Sequence, residues 1–253
     1  MSDQDTPPYS HVVDGNRLTL ITRGPDRMRA LLDLIAGAKR SLRLLYYIYV
    51  ADEAGEAVRD ALIDAARRGV AVSLIVDGLG SEQAASRNFF DPLCEAGAHV
   101  CRFVPRWGRR YLLRNHQKLA LADEERVIIG GFNIEDSYFG TAAEEAWRDL
   151  GLLVEGPAAA RLVGYFDALS RWARHARAPL SKLTEALKQW SEPRGNARWL
   201  LGGPTRRLSP WARVVKNDME DSRRIDLIAA YFAPNPSMLR RLDKGIMIHV
   251  FSF

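Results

Sequence analysis

The chain has 253 residues, with 36 Lys plus Arg against 31 Asp plus Glu, a formal charge of +5, 47% hydrophobic residues and 26% charged ones. That balance supports a buried core and excludes a disordered, collagen-like or coiled-coil chain. The longest apolar stretches, such as Leu44 to Ala51, are strand-sized, so no membrane-spanning helix is predicted.

The polar start MSDQDTPPYSHVVDGN has no basic segment followed by an apolar one. It reads as a flexible arm over 1–15 rather than a signal peptide, which predicts a cytoplasmic protein, peripheral to any membrane it meets. Secretion by a route that leaves no readable signal is the alternative. From there the apolar period predicts a strand over 18–22, a helix over 26–38, a strand over 42–50, a helix over 55–68 and a strand over 70–76. That order implies an α/β fold, a mostly parallel central sheet flanked by helices. Cys94 and Cys101 flank a further strand and read as buried free thiols; with no fourth ligand in view, no metal site is predicted. Arg102, Arg106, Arg109, Arg110, Arg114 and Lys118 follow without an intervening carboxylate, which suits either a polyanionic partner or a solvated loop.

The densest signal is RNHQKLALADEERVIIGGFN, residues 114–133. Alternation over 116–122, a polar turn at Asp123-Glu124-Glu125 and the β-rich RVIIG predict a hairpin whose paired positions sum to about 248. In a strand, side chains two apart share a face, so His116 and Lys118 project together and come near Asn133. Gly130 and Gly131 are expected to open the backbone to a substrate. An imidazole nucleophile, an ammonium and an amide donor suit attack on phosphorus, with no metal or organic cofactor required.

Beyond the hairpin, Gly156-Pro157 opens a helix whose Leu162, Phe166, Leu169 and Ala173 share a face. Residues 177–195 read as a connector with one short helix. The first unit's pattern then returns: Asn16-Arg17-Leu18 is echoed by Asn196-Ala197-Arg198, Gly24-Pro25 by Gly203-Pro204, Ser41-Leu42 by Arg224-Ile225, and Gly69-Val70 by Gly245-Ile246. The expected domains are therefore 16–176, carrying the motif, and an incomplete second copy over 196–253.

These motifs resemble the phospholipase D superfamily. His116, Lys118 and Asp123 fit its H-x-K-x4-D signature, and Gly130, Gly131 and Asn133 fit its G-G-x-N. YYIYVADEAGEAVRDALIDAARRGVAVSLIVDGLGS, GGFNIEDSYFG and AWRDLGLLVEGPAAARLVGYF are similar to the cardiolipin synthase-like branch. The resemblance implies a β-α-β-α-β-β-α unit with His116 as nucleophile, Lys118, Asn133 and Gly131 at the phosphate, Asp123 as an orienting or structural residue, and Arg114 as an extra phosphate contact. It implies transfer or hydrolysis of a phospholipid phosphodiester through a phosphohistidine at an anionic membrane surface. Members with two copies use a second histidine as general acid, worth roughly 10²–10⁴-fold. The repeat offset puts that second motif past Phe253, as in a truncated chain, and neither His175 nor His249 begins an H-x-K pattern. Two other expectations stand beside the first. One is a homodimeric single-motif phosphodiesterase or nuclease; the other is an inactive remnant that binds phosphate or anionic lipid.

Overall fold

A computed structural model of the protein describes residues 9–82, 84, 88–104, 115–175, 178–192, 194–203, 209–229, 236, 239–240 and 247–252. Arg106, Arg109, Arg110 and Arg114, and with them most of the expected basic run, lie outside the described residues.

The described residues open with a hairpin, β1 (Ser10–Val13) against β2 (Asn16–Ile21), within the 1–15 segment expected to be a flexible arm. Its turn is Asp14-Gly15, with φ of +49° and +75°. An Asp-Gly pair adopts that left-handed conformation readily and is itself a strong hairpin signal. Helix α1 (Gly24–Ala36) follows, with Pro25 in its first turn and Leu31, Leu34 and Ile35 buried. Strand β3 (Ser41–Tyr46) leads to α2 (Glu53–Arg67), capped by the Asp52 carboxylate, which accepts from the Gly55 N–H at 2.9 Å. Next come β4 (Ala71–Asp77), the short α3 (Asp91–Glu95) and β5 (His99–Phe103). Leu93 faces the core from α3, which leaves the neighbouring Cys94 exposed rather than buried; Cys101 is half-buried. The hairpin β6 (Leu119–Ala122) and β7 (Arg126–Gly130), then β8 (Gly151–Glu155), complete the sheet.

The eight strands lie in the order β1-β2-β8-β7-β6-β3-β4-β5. Only β3-β4 and β4-β5 pair in parallel, because only these neighbours are joined by helical crossovers; β6-β7 is a tight hairpin and must be antiparallel. The expected parallel character survives in strand direction. Following the pairings across the sheet, β2, β7, β3, β4 and β5 run one way and β1, β8 and β6 the other. Five carboxyl ends therefore meet at one rim, here called the upper rim.

Helices cover both faces. Leu42, Leu44, Leu74, Ala120 and Ala122 pack with Leu31, Leu34 and Val58 on one side. Leu45, Ile75, Leu119, Leu121 and Val127 pack with Phe166 and Leu169 on the other. Phe166 and Leu169 come from α5 (Val163–Arg174), which follows α4 (Pro157–Ala160) and precedes α6 (Leu180–Gln189). Strands buried on both faces read as unbroken apolar runs, and each large aliphatic side chain buried this way stabilises the fold by about 1.5–3 kcal/mol.

Further on, α7 (Pro210–Asp221) precedes β9 (Arg224–Ala229), which pairs in parallel with β10 (Met247–Ser252) as a separate two-stranded sheet. The expected echo of β2 at Asn196 to Arg198 is not a strand. That segment is held instead by Asp14, whose carboxylate accepts from the main-chain N–H groups of Asn196 and Ala197 at 3.2 and 3.3 Å and from the Asn196 side chain at 3.1 Å.

Candidate active site

Two strands stop earlier than their apolar runs, and both stops build the site. β3 ends at Tyr46 although apolar residues continue to Ala51. Beyond it the Ile48 N–H donates to the Asn133 Oδ1 at 3.1 Å, the Tyr49 N–H to the Ser81 Oγ at 3.0 Å, and the Val50 N–H to the Ile134 carbonyl at 2.9 Å. β6 begins at Leu119 rather than His116. Its register with β7 has the expected sum, Leu119 opposite Ile129 and Ala122 opposite Arg126. The residues before it leave the ladder because their N–H groups go to side chains. Asn115 donates to the Asp77 Oδ2 at 3.0 Å, and Gln117 to the Asn115 Oδ1 at 3.1 Å.

The result is a short segment at the upper rim in which Lys118 Nζ sits 2.9 Å from His116 Nδ1 and donates to the His116 carbonyl at 2.8 Å. The Tyr47 ring packs on the imidazole with 4.4 Å between centroids, and Lys118 Nζ lies 5.4 Å from the Tyr47 centroid. Lys118 is only 6% exposed and Asn133 2%. The Asn133 Oδ1 accepts from the Ile48 N–H and one Nδ2 hydrogen goes to the Tyr138 hydroxyl at 3.0 Å, while the other has no partner among the described residues. Gln117, between the pair, turns away and accepts from the Tyr165 hydroxyl at 2.6 Å.

Burial, then the adjacent Lys118 ammonium, hold the His116 pKa below the ordinary 6.5, against the opposite pull of its own carbonyl and of Asp77. The imidazole is therefore neutral near pH 7. Burial also brings Lys118 down to about 8, with the Asp149 carboxylate acting the other way. At pH 7 the ammonium is charged but easily perturbed.

Asp123 stands at the opposite end of β6. Its carboxylate accepts from the N–H groups of Lys39, Arg40 and Ser41 at 2.8, 2.7 and 2.9 Å, tying the α1–β3 loop to the hairpin turn. Burial pushes its pKa up, but the three N–H donors and Arg40 outweigh that, and the net shift is downward. The geometry gives it main-chain partners in place of His116. Gly131, expected to leave room for substrate, has that room filled: a Cβ there would lie 2.5 Å from Asp149 Oδ1. A Cβ at Gly130 would lie 2.6 Å from both the Leu150 carbonyl and the Phe132 ring. Three residues carry parts that spacing alone did not assign: Tyr47 against the imidazole, Asp77 anchoring Asn115, and Asp149, whose carboxylate lies against Gly131. Asp149 lay in plain view within W-R-D-L, but nothing in one sequence says that its side chain folds back onto Gly131. Among the described residues no cluster of three or more His, Cys, Asp or Glu could hold a metal ion.

The family described as cardiolipin synthase, PLD-like domain, matches residues 31–169, which include every strand end of the site and all of α1's buried Leu31, Leu34 and Ile35. The chain belongs to this family. Within this phospholipase D-like family it is 34% identical over 240 residues to the major cardiolipin synthase ClsA of Bacillus subtilis (strain 168), covering 90% of this chain and 48% of that protein. It is 39% identical over 158 residues to cardiolipin synthase 1 of Bacillus anthracis, covering 60% of this chain and 31% of that protein. The chain thus spans about half the length of such relatives or less. The solved phosphatidylserine synthase of Haemophilus influenzae Rd KW20 shares the fold, with a TM-score of 0.73 at 11% identity over 97% of this chain and 63% of that one.

Proposed function

We propose that this phospholipase D-like chain attacks a glycerophospholipid phosphodiester with His116 and acts as a phosphatidyltransferase of the cardiolipin synthase kind. The observation that carries the reading is the buried Lys118 ammonium 2.9 Å from the ring of a histidine that stays neutral at pH 7. While Lys118 is charged and donates to Nδ1, Nε2 holds the ring proton and cannot attack. A phosphate arriving at the rim draws the ammonium to its non-bridging oxygens. Nδ1 is then free to carry the proton and donate it to the His116 carbonyl, and the lone pair moves to Nε2.

Nε2 forms a bond to phosphorus as the bond to the head-group oxygen breaks, and that oxygen leaves with a proton. Lys118 and the free Nδ2 hydrogen of Asn133 stabilise the charge that develops on the phosphoryl oxygens. An acceptor hydroxyl or water then attacks phosphorus, the P–N bond breaks and His116 is restored. Among the five histidines only His116 begins an H-x-K pattern, so the proton for the leaving oxygen comes from solvent or from a second motif outside these residues.

The substrate presents itself at an anionic membrane surface. No helix among the described residues is long and apolar enough to cross a membrane. Trp147 and Leu150, 51% and 52% exposed, stand at the upper rim beside Asp149, where an indole and an isobutyl group can enter a headgroup layer.

The test is intact-protein mass spectrometry after incubation with short-chain phosphatidylglycerol. A gain equal to one phosphatidyl group on the wild type and none on His116→Ala is expected. A folded wild type that gains no mass, or a variant that gains it equally, overturns the reading.

A further inference from the structure

β4 ends at Asp77, and the chain turns through Gly78-Leu79-Gly80-Ser81 at the upper rim. The Asp77 carboxylate, 1% exposed, closes that turn with one oxygen and reaches a second segment with the other. Oδ1 accepts from the Leu79 and Gly80 N–H groups at 3.0 and 3.2 Å, and the Ser81 N–H donates to the Asp77 carbonyl at 3.0 Å. Oδ2 accepts from the N–H of Asn115, the residue before His116, at 3.0 Å.

The same turn grips Tyr47. The Ser81 hydroxyl, on a residue 1% exposed, donates to the Tyr47 carbonyl at 3.2 Å and accepts from the Tyr49 N–H at 3.0 Å. Gly80 lays its main chain against the same residue: a Cβ there would stand 2.3 Å from the Tyr47 carbonyl oxygen and 3.2 Å from Cε2 of the Tyr47 ring. Tyr47, just past β3, and His116, just before β6, are thus both held from one turn.

The imidazole itself is exposed at the rim, and two contacts hold it: Lys118 Nζ, 2.9 Å from Nδ1, and the Tyr47 ring, tilted 38° to it with 4.4 Å between centroids. The first is given up in the reaction proposed above, where Lys118 leaves Nδ1 for the phosphoryl oxygens. An exposed side chain with two rotatable bonds then changes rotamer on the nanosecond scale unless a second contact stops it. The Tyr47 ring is that contact. It also stays within reach of the ammonium, with Nζ 5.4 Å from its centroid, inside the range of a cation–π interaction.

We propose, on the reading of His116 as the nucleophile, that Tyr47 is a positioning residue of the site: clamped by the turn from Asp77 to Ser81, its ring keeps the imidazole in the attacking orientation once Lys118 has moved to the phosphate.

The main experiment needs no turnover, so it stands or falls independently of the mass measurement on lipid. In the full chain labelled with 13C-histidine, the ring C–H signals of His116 are assigned by their loss in His116→Ala, and their order parameters are measured by relaxation. Lys118→Met reproduces the moment at which the lysine has let go. There the imidazole stays ordered, close to the rigid value of about 0.85, and adding Tyr47→Leu lets it fall below about 0.6. The His116 signals then also lose the displacement that a neighbouring aromatic ring produces. Adding Tyr47→Phe instead keeps both, because the ring and not the hydroxyl makes the contact. Gly80→Ala, whose Cβ has to push the Tyr47 main chain aside, mobilises the imidazole as Tyr47→Leu does. On short-chain phosphatidylglycerol, Tyr47→Leu alone slows adduct formation about 10–100-fold, while Tyr47→Phe stays near the wild-type rate. An imidazole already mobile in Lys118→Met, or still ordered in folded Lys118→Met/Tyr47→Leu, overturns the proposal. So does a folded Tyr47→Leu that forms the adduct at the wild-type rate. A wild type that forms no adduct overturns the phosphohistidine reading instead, and the order parameters still decide what holds the ring.

Discussion

Replacing Asp123 by Ala removes the acceptor of three main-chain N–H groups, those of Lys39, Arg40 and Ser41, each within 2.9 Å of a carboxylate that is 6% exposed. A hydrogen bond to a charged group contributes about 1.5–3 kcal/mol. The freed amides edge a surface loop and recover part of this from water, so the three together cost about 3–5 kcal/mol. Urea unfolding at pH 7 followed by far-ultraviolet circular dichroism gives the number directly. The ionised carboxylate is favoured by the fold, so its contribution is present above the unfolded value of 3.8 and is lost as pH falls through the lower folded value. The gap between wild type and variant therefore closes in acid. Well below its unfolding midpoint the variant still forms the His116 adduct at close to the wild-type rate, since Asp123 touches neither His116 nor Lys118. A stability loss under about 1 kcal/mol, or full stability with the adduct abolished, would refute the assignment of this residue to the scaffold.

Adduct formation should be bell-shaped in pH. It rises with deprotonation of His116, below 6.5, and falls as Lys118 loses its proton near 8; rates between pH 5 and 9 check both limbs. Lys118→Met removes the charge that depresses the imidazole, so the His116 midpoint followed by NMR moves up while the adduct is lost. The two glycines of G-G-x-N separate by consequence. A Cβ at Gly131 first meets the movable end of the Asp149 side chain, so Gly131→Ala leaves the unfolding midpoint nearly unchanged; Gly130→Ala meets the Leu150 carbonyl and the Phe132 ring, and costs about 1–3 kcal/mol in urea unfolding.

Much of this molecule could be read from its residues. The helix faces of α1 and α2, the apolar strands between them and the 248 register of the β6–β7 hairpin follow from period and turn chemistry alone. The hairpin at Asp14-Gly15 was legible as well, but the polar, proline-bearing segment around it masks the signal. What could not be read is where strands stop. Tyr47 to Val50 and Asn115 to Lys118 have strand-like composition, yet their N–H groups are taken by Asn133, Ser81, Ile134, Asp77 and Asn115, most of them distant in sequence. The hold of Arg27 on the Asp149 carbonyl, 122 residues away, was hidden for the same reason, since an arginine in an amphipathic helix reads as solvent-facing.

The four residues between Lys118 and Asp123 are β6 in its entirety, and all four are buried. At about 3.3 Å per residue the five steps from Lys118 to Asp123 span about 16 Å, from one rim of the sheet to the other. The spacing in H-x-K-x4-D is thus a ruler cut to the length of the strand, with reactive groups at one end and a loop anchor at the other. Deleting one residue from it would turn Leu119 and Leu121 to the opposite face and pull either the ammonium or the anchor off its rim. A motif written as one line of sequence therefore spans two places with two tolerances: change at the upper end is felt in chemistry, and change at the lower end in whether the chain holds together.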